Sequence, residues 1–544
     1  MTWRCNECGT YNQDSHSKCV YCGTENLRPN GAEQLYKQAL DIIEADPAKG
    51  YSMLLQAANA GYDPAQDELG ECYFYGKGVA VDFSKAVACY EKAALKGVAT
   101  AQYNAGYCYR YGKGVAEDIN KAVAFFKKAA EQGNPSAHLE LGDCYSSGNG
   151  LPQNFEKAAE CYAYADARGN VAASAKLGDC YYYGKGVNQS YERAVELYKK
   201  SADGGHAYSA YSLGYCYEKG QGTAQSWSKA AQCYQAAAQK GNISAQGALG
   251  DCYYNGNGVL LNYETACAWY KTAADNGHPF SQARLGDCYF YVRGTTQNYQ
   301  AACEWYQKAA EGGNGYAMYS LGYCYEKGNG VLQNWAKAFE WYKKGAEIGN
   351  LSATCALGDC YYNGNGVRQD ERAAFDLFKK AAEEGYSRAK SKVADCYYYG
   401  RGISQNYDLA CVWYFKAADD GNAYSQYSLG YCYQKGEGVP QNYAKAYQFY
   451  LQAANGGNVS ALAGVGDCYY YGRGVVKSYE KAIEWYRKGA EENHAYSQYN
   501  LGYCYEKGYG VPQNITRAIE FYKKAAAQGH KSSQEALKKL GVRF

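Results

Sequence analysis

A Leu-Gly or equivalent pair recurs every 36 residues along most of this chain, and that period restricts the fold more than any other feature. Gly70, Gly106, Gly142, Gly178, Gly214, Gly250, Gly286, Gly322, Gly358, Gly430, Gly466 and Gly502 hold the register, and Ala394 fills the one missing place. Thirteen units follow one another without insertion or deletion. Two residues after each of these positions stands a Cys, from Cys72 to Cys504, and then a Tyr, from Tyr73 to Tyr505. A period of this size marks duplication and an elongated stack, in which each unit buries its apolar face against its neighbours. The 544 residues are therefore not read as three or four separate globular domains, which length alone would suggest.

Each unit reads as two helices. Helix A carries a 3.6-residue apolar stripe, as in Ala101, Ala105, Cys108 and Tyr109. It ends at a Gly-x-Gly-Val turn such as Gly112-Lys113-Gly114-Val115, where Gly supplies the left-handed cap. Helix B opens at a residue that is Asp, Asn or Ser in all thirteen units, from Asp82 and Asp118 to Ser478 and Asn514. That is the class preferred at a helix N-cap. Helix B stops at a Gly in twelve units, Gly97 to Gly529, with Asn493 the exception.

The pattern Leu-Gly-x-x-Tyr-x-x-Gly-x-Gly-Val, then Lys-Ala-x-x-x-Tyr-x-Lys-Ala-Ala-x-x-Gly, is well shown by residues 213–241. It resembles the Sel1-like repeat family over about residues 46–540. The resemblance implies an all-α fold: an α/α superhelical solenoid of helix-turn-helix units related to tetratricopeptide repeats. It also implies a non-enzymatic adaptor or scaffold that assembles protein complexes. Residues 62–530 hold the thirteen repeats. Residues 29–61 read as N-terminal capping helices, because 47–59 is a degenerate helix B and Gly61 lies 36 before Gly97. Residues 531–544 read as a polar C-terminal capping helix with Leu537 in register. Polar terminal half-repeats keep such a stack soluble.

Residues 1–28 stand outside the array and read as a small four-cysteine zinc finger. Cys5 and Cys8, then Cys19 and Cys22, form two Cys-x-x-Cys knuckles ten residues apart, a spacing suited to one tetrahedral structural Zn²⁺. So short a segment buries little core, and metal binding would supply most of its folding free energy. The βαβ context of a Cys-x-x-Cys oxidoreductase is missing. With Trp3 and Asn12 also matching, the segment resembles the RanBP2-type zinc finger and short zinc ribbons. RanBP2-type members bind ubiquitin or single-stranded RNA. The Thr-Phe of the ubiquitin-binding members is replaced by Gly9-Thr10-Tyr11 out of register, and no Arg lies between Cys8 and Cys19. An alternative reading has the finger bind ubiquitin or RNA, with the solenoid as spacer.

Composition narrows the function further. Lys+Arg is 56 and Asp+Glu is 54, a net +2, so no strong basic field draws the chain to nucleic acid or a membrane. No run of about 18 apolar residues occurs, and the first residues lack a signal peptide's apolar core, so the expected location is the cytoplasm. Of 24 cysteines, twenty lie beyond the finger: thirteen in the one helix A column and seven others in three phases. Systematic disulfide pairing is excluded, and these read as small buried hydrophobes in the reduced state. His206, His278, His494 and His530 precede helix A where other units have Asn134, Asn170, Asn242, Asn314 or Asn350, so they read as turn or cap residues. His138 lies within a helix A, without an evident partner. The repeated Gly-x-Gly follows a helix, unlike a phosphate-binding loop, which follows a strand. No catalytic motif emerges.

One feature of helix A suggests a binding face. The residue after the repeat Gly and the residue three later vary together, and residues three apart share a helix face. Units with Tyr first have a polar residue second: Tyr215/Glu218, Tyr323/Glu326, Tyr431/Gln434, Tyr503/Glu506 and Tyr107/Arg110. Units with Asp first mostly have an aromatic second, as in Asp179/Tyr182, Asp287/Phe290 and Asp395/Tyr398. Tyr-first units extend the stripe backwards through Tyr208 and Tyr211, Tyr316 and Tyr319, Tyr424 and Tyr427, and Tyr496 and Tyr499. Tyr107, Tyr215, Tyr323 and Tyr431 are 108 apart, or three units. Large side chains filling space beside small neighbours would explain any single Tyr. The whole row reads as a concave groove for protein partners, suited to extended segments bearing Lys or Arg.

Overall fold

The computed structural model describes residues 2–4, 11–13 and 29–543; Cys5, Cys8, Cys19 and Cys22 lie outside them. Among the described residues are 29 helices and one two-stranded antiparallel sheet. The strands Thr2–Arg4 and Tyr11–Gln13 pair with Trp3 opposite Asn12. The remainder is an all-α solenoid in which helices pack on their neighbours in sequence. The chain divides into two compact units, Met1–Trp269 and Tyr270–Phe544. The same helix A–helix B pair builds both.

Ala207–Lys219 and Trp227–Gln239 show the pair, each helix 13 residues long. The thirteen residues chosen from sequence as N-caps all cap helix B. Each side-chain oxygen accepts from the backbone N–H three residues on, at 3.0 Å from Lys85 to Asp82 and 2.9 Å from Arg517 to Asn514. Each such cap stabilises its helix by about 1 kcal/mol. The two glycines of the turn do different work. Gly220 ends helix A with φ 70°. At Gly222 a Cβ would meet the Tyr191 carbonyl group at 2.2 Å, so the turn rests on the first residue of the preceding helix B.

The repeat glycine on helix A is a seat for helix B. A Cβ at Gly286 would lie 2.6 Å from the Tyr306 ring, and one at Gly142 would lie 2.5 Å from Tyr162. The helix B aromatic that lies on this seat is at most 3% exposed in every repeat from Tyr90 to Tyr522, with Phe126 and Phe378 as the two phenylalanines. Two residues beyond the seat, the helix A Cys is buried in every repeat, as at Cys108, Cys216 and Cys324. All twenty cysteines in the described residues are thiols, and thirteen of them fill this small apolar slot. At the C-terminal end Lys531–Lys539 buries Leu537. At the N-terminal end Pro29–Ile42 and Pro47–Asn59 pack as an ordinary pair, with Gly50 seating Ile43.

Candidate partner-binding face

The face begins with a requirement of the buried helix B tyrosine. Its hydroxyl must find an acceptor, because a buried, unpaired hydroxyl costs about 1–3 kcal/mol. Helix A supplies that acceptor from one of the two coupled columns. In Asp-first repeats it is the Asp itself: Tyr198 donates to Asp179 at 2.7 Å, Tyr306 to Asp287 at 2.7 Å, and Tyr414 to Asp395 at 2.6 Å. In Tyr-first repeats it comes from three residues on: Tyr234 donates to Glu218 at 2.7 Å, Tyr342 to Glu326 at 2.8 Å, and Tyr450 to Gln434 at 2.8 Å. The swapped order of aromatic and acid is thus two ways to satisfy one hydroxyl. The sequence reading placed Glu218 and Glu326 on a partner surface; each carboxylate is already held by this tyrosine and by Lys219 or Lys327.

The backward tyrosines divide into two kinds. Tyr208, Tyr316 and Tyr424 donate to the Asp of the preceding repeat at 3.1, 2.9 and 3.0 Å, making one carboxylate serve two hydroxyls. Burial raises the pKa of Asp179, Asp287 and Asp395, and the tyrosine hydrogen bonds oppose that shift. These three tyrosines still expose 40–43% of their surface. Tyr211, Tyr319 and Tyr427 instead pack on the buried helix B ring, with centroids 5.7, 5.9 and 5.6 Å apart. They are half-buried and help to hold the core, as space-filling predicts. Tyr215 and Tyr431 are each 37% exposed, and Tyr323 is partly exposed.

Where an Asp-first repeat meets a Tyr-first repeat, these rings enclose a notch. One of about 270 Å³ is lined by Tyr182, Tyr183, Tyr198, Tyr208, Tyr211 and Tyr215. Another of about 290 Å³ is lined by Phe290, Tyr291, Tyr306, Tyr316, Tyr319 and Tyr323, the residues 108 further on. A lysine of the next helical turn lies over the rim tyrosine in each: Lys219 at 5.4 Å from Tyr215 and Lys327 at 5.7 Å from Tyr323. Lys435 repeats the contact on Tyr431 at 5.5 Å.

The histidines are N-caps of helix A, as their exchange with Asn foretells. Asn caps accept from the backbone three residues on, as Asn314 does from Ala317 at 2.9 Å. His caps use the side chain there instead: Nδ1 of His206, His278, His494 and His530 bonds the Ser209, Ser281, Ser497 and Ser533 hydroxyls at 2.8–3.0 Å. Burial lowers the pKa of His206, His494 and His530. The signal was in the sequence, since Ser follows each of these His by three residues. His138 has its partner too, stacked on Tyr164 with centroids 3.8 Å apart. Among the described residues no group of three His, Cys, Asp or Glu could hold a metal ion, and no helix is long and apolar enough to cross a membrane.

The family model of the Sel1 repeat matches the chain fourteen times without a gap, from 31–62 through 63–98 to 495–530. The chain belongs to the Sel1 repeat family. The first match covers the segment read from sequence as capping helices, so a Sel1 repeat precedes the thirteen counted there. The crystal structure of c5321, a protective antigen present in uropathogenic Escherichia coli strains displaying an SLR fold, is similar at 29% identity and TM-score 0.66. The match covers 84% of this chain and 98% of that one. A Sel1 repeat protein from Oxalobacter formigenes matches at 29% identity and TM-score 0.42, over 44% of this chain and 96% of its own. No curated protein matches the chain. Sel1 solenoids are generally non-catalytic scaffolds for protein–protein interaction.

Proposed function

We propose that this Sel1 repeat protein is a non-catalytic, cytoplasmic scaffold that holds extended protein segments on its helix A face. Lys or Arg side chains of the partner enter the tyrosine notches. The observation that carries this reading is the recurrence of one notch, ring for ring, 108 residues apart. Tyrosine offers large rigid contact area with a polar tip, and its ring face attracts cations. The chain's own lysines on Tyr215, Tyr323 and Tyr431 use that attraction already, and a partner's cation would take their place. Because the carboxylates are engaged internally, the tyrosines rather than the acids carry the recognition.

The test is capture of partners by the full chain and by a Tyr215→Ala, Tyr323→Ala, Tyr431→Ala variant, followed by titration of labelled lysine peptides. These three rings sit at the rim, so helicity should be unchanged while the same partners and peptides are lost. Retention of both by the variant would refute the reading.

We propose further that Cys5, Cys8, Cys19 and Cys22 hold one structural Zn²⁺ through four thiolates. The strands Thr2–Arg4 and Tyr11–Gln13 support it, because the Cys5–Cys8 knuckle is the sequence joining them. Metal analysis of the purified protein should give one zinc per chain, lost in Cys8→Ser. A metal-free wild-type protein would end the idea.

A further inference from the structure

The repeat 351–386 breaks the pattern of its sisters, and the break gathers charge. Its Asp-first residue is Asp359; the equivalent Asp179, Asp287, Asp395 and Asp467 each accept from two tyrosines. Here the helix B residue is Phe378, which has no hydroxyl. The second donor, at the register of Tyr316 and Tyr424, is Arg388. Arg388 donates to Asp359 at 2.8 Å, and Lys392, from the next turn of the same helix, lies 2.9 Å from the other carboxylate oxygen. Equivalent positions to Lys392 carry Ser212, Ser320, Ser428 and Asn500 where two tyrosines share the Asp, and Lys176 and Arg284 elsewhere; in this repeat alone a second cation, Arg388, stands one turn before it. A tyrosine–carboxylate cluster of charge −1 has become one of charge +1.

This cluster lines a cavity of about 420 Å³ shared with Tyr319, Tyr323 and Lys327. Arg388, Lys392 and Lys327 set three positive charges against the two of Asp359 and Glu326. Arg388 keeps 52% of its side chain exposed while bonded to Asp359, and Lys327 keeps 48%. Guanidinium donors remain for a second anion, and the planar fork suits a carboxylate. Two of the walls, Tyr319 and Tyr323, also line the neighbouring tyrosine notch.

We infer that this cavity is a binding site for a carboxylate group of a peptide partner, held by Arg388, Lys392 and Lys327. It rests on the reading of the helix A face as the partner surface, and adds an acidic anchor beside the notches for basic side chains. A partner with both charges would then be fixed in direction and register on the face.

The probe is fluorescein-labelled tetraglutamate, made with a free and with an amidated C-terminus, titrated into the full chain by anisotropy at low salt. A tetralysine peptide runs alongside. The test variant is Arg388→Tyr with Lys392→Ser, which installs the residues of the sister repeats and so preserves the fold. It should weaken tetraglutamate binding by roughly tenfold or more, the size of one lost charge-assisted bond. Arg372→Ala with Lys379→Ala removes two charges from exposed helix B pairs, and should leave binding within about twofold. Binding of the free acid alone assigns a terminal carboxylate; binding of both forms assigns a side chain. The inference fails if tetraglutamate does not bind at millimolar concentration, if the test variant binds as wild type does, or if the control loses as much. Failure there with tetralysine still bound at the tyrosines sinks this inference and leaves the scaffold reading standing.

Discussion

Val292 ends its helix A in the left-handed region, φ 58° and ψ 49°, where twelve sister repeats have glycine at φ 64–79°. A β-branched residue there brings Cβ against the following carbonyl, at a cost of about 1–2 kcal/mol. Val292→Gly removes that strain and returns some freedom to the unfolded chain, for a net gain of about 1 kcal/mol. Amide exchange along Pro279–Tyr291 reads the local stability, since a repeat array need not unfold in one step. Slower exchange is expected; faster exchange would show that Val292 is not strained. The Glu218–Tyr234 bond belongs to the same scale. Glu218→Leu strands a buried hydroxyl and should destabilise by about 2 kcal/mol, and adding Tyr234→Phe should recover most of it. Phe126 and Phe378 show that the core accepts the ring without its hydroxyl. Equal stability of the single and double variants, seen in guanidinium unfolding, would contradict the pairing.

At the scale of the helix, caps make the repeat legible. Every helix B start was readable because an N-cap acts on a backbone group three residues away, within the pattern a sequence displays. The acceptors of the buried tyrosines were not. Asp287 serves one hydroxyl 19 residues ahead and another 29 ahead, while Glu326 serves one 16 ahead, and only packed helices bring these together. The covariation of the two columns was visible, but the internal hydrogen bond it serves was not. The His caps add a pH dependence. Their folded pKa lies below the ordinary 6.5, so the unfolded chain binds the proton first. The stability they give is full above about pH 6.5 and is lost as pH falls below it, toward the depressed folded value. His494→Asn with Ser497→Ala copies the cap of Asn314 and Ala317. Between about pH 7 and pH 5 this variant should lose less stability than wild type, and parallel curves would exclude the histidine as the source.

For the array as a whole, the hydrogen-bond rhythm is longer than the structural repeat. One unit is 36 residues, but from Tyr107 to Tyr431 the order Tyr, Asp, Asp on helix A closes after 108; Tyr503 breaks it, following after 72. Excision of three Sel1 repeats, residues 315–422, sets Tyr424 where Tyr316 stood, so Asp287 keeps both its donors, Tyr306 and the incoming tyrosine. Excision of one repeat, 315–350, sets Ser352 there instead, and Asp287 keeps only Tyr306. The backbone is equally continuous in both, because each cut removes whole helix pairs. If stability is a sum of repeat and nearest-neighbour terms, the larger deletion should leave the junction as firm as wild type. The smaller one should weaken it by about 1 kcal/mol, one hydrogen bond to a carboxylate. Amide exchange in Pro279–Tyr291 and Tyr299–Glu311 measures that junction directly in each. The telling result is the inversion: the protein missing 108 residues should hold its junction better than the protein missing 36, and the opposite order would mean that the tyrosine–aspartate bonds do not set how neighbouring repeats adhere.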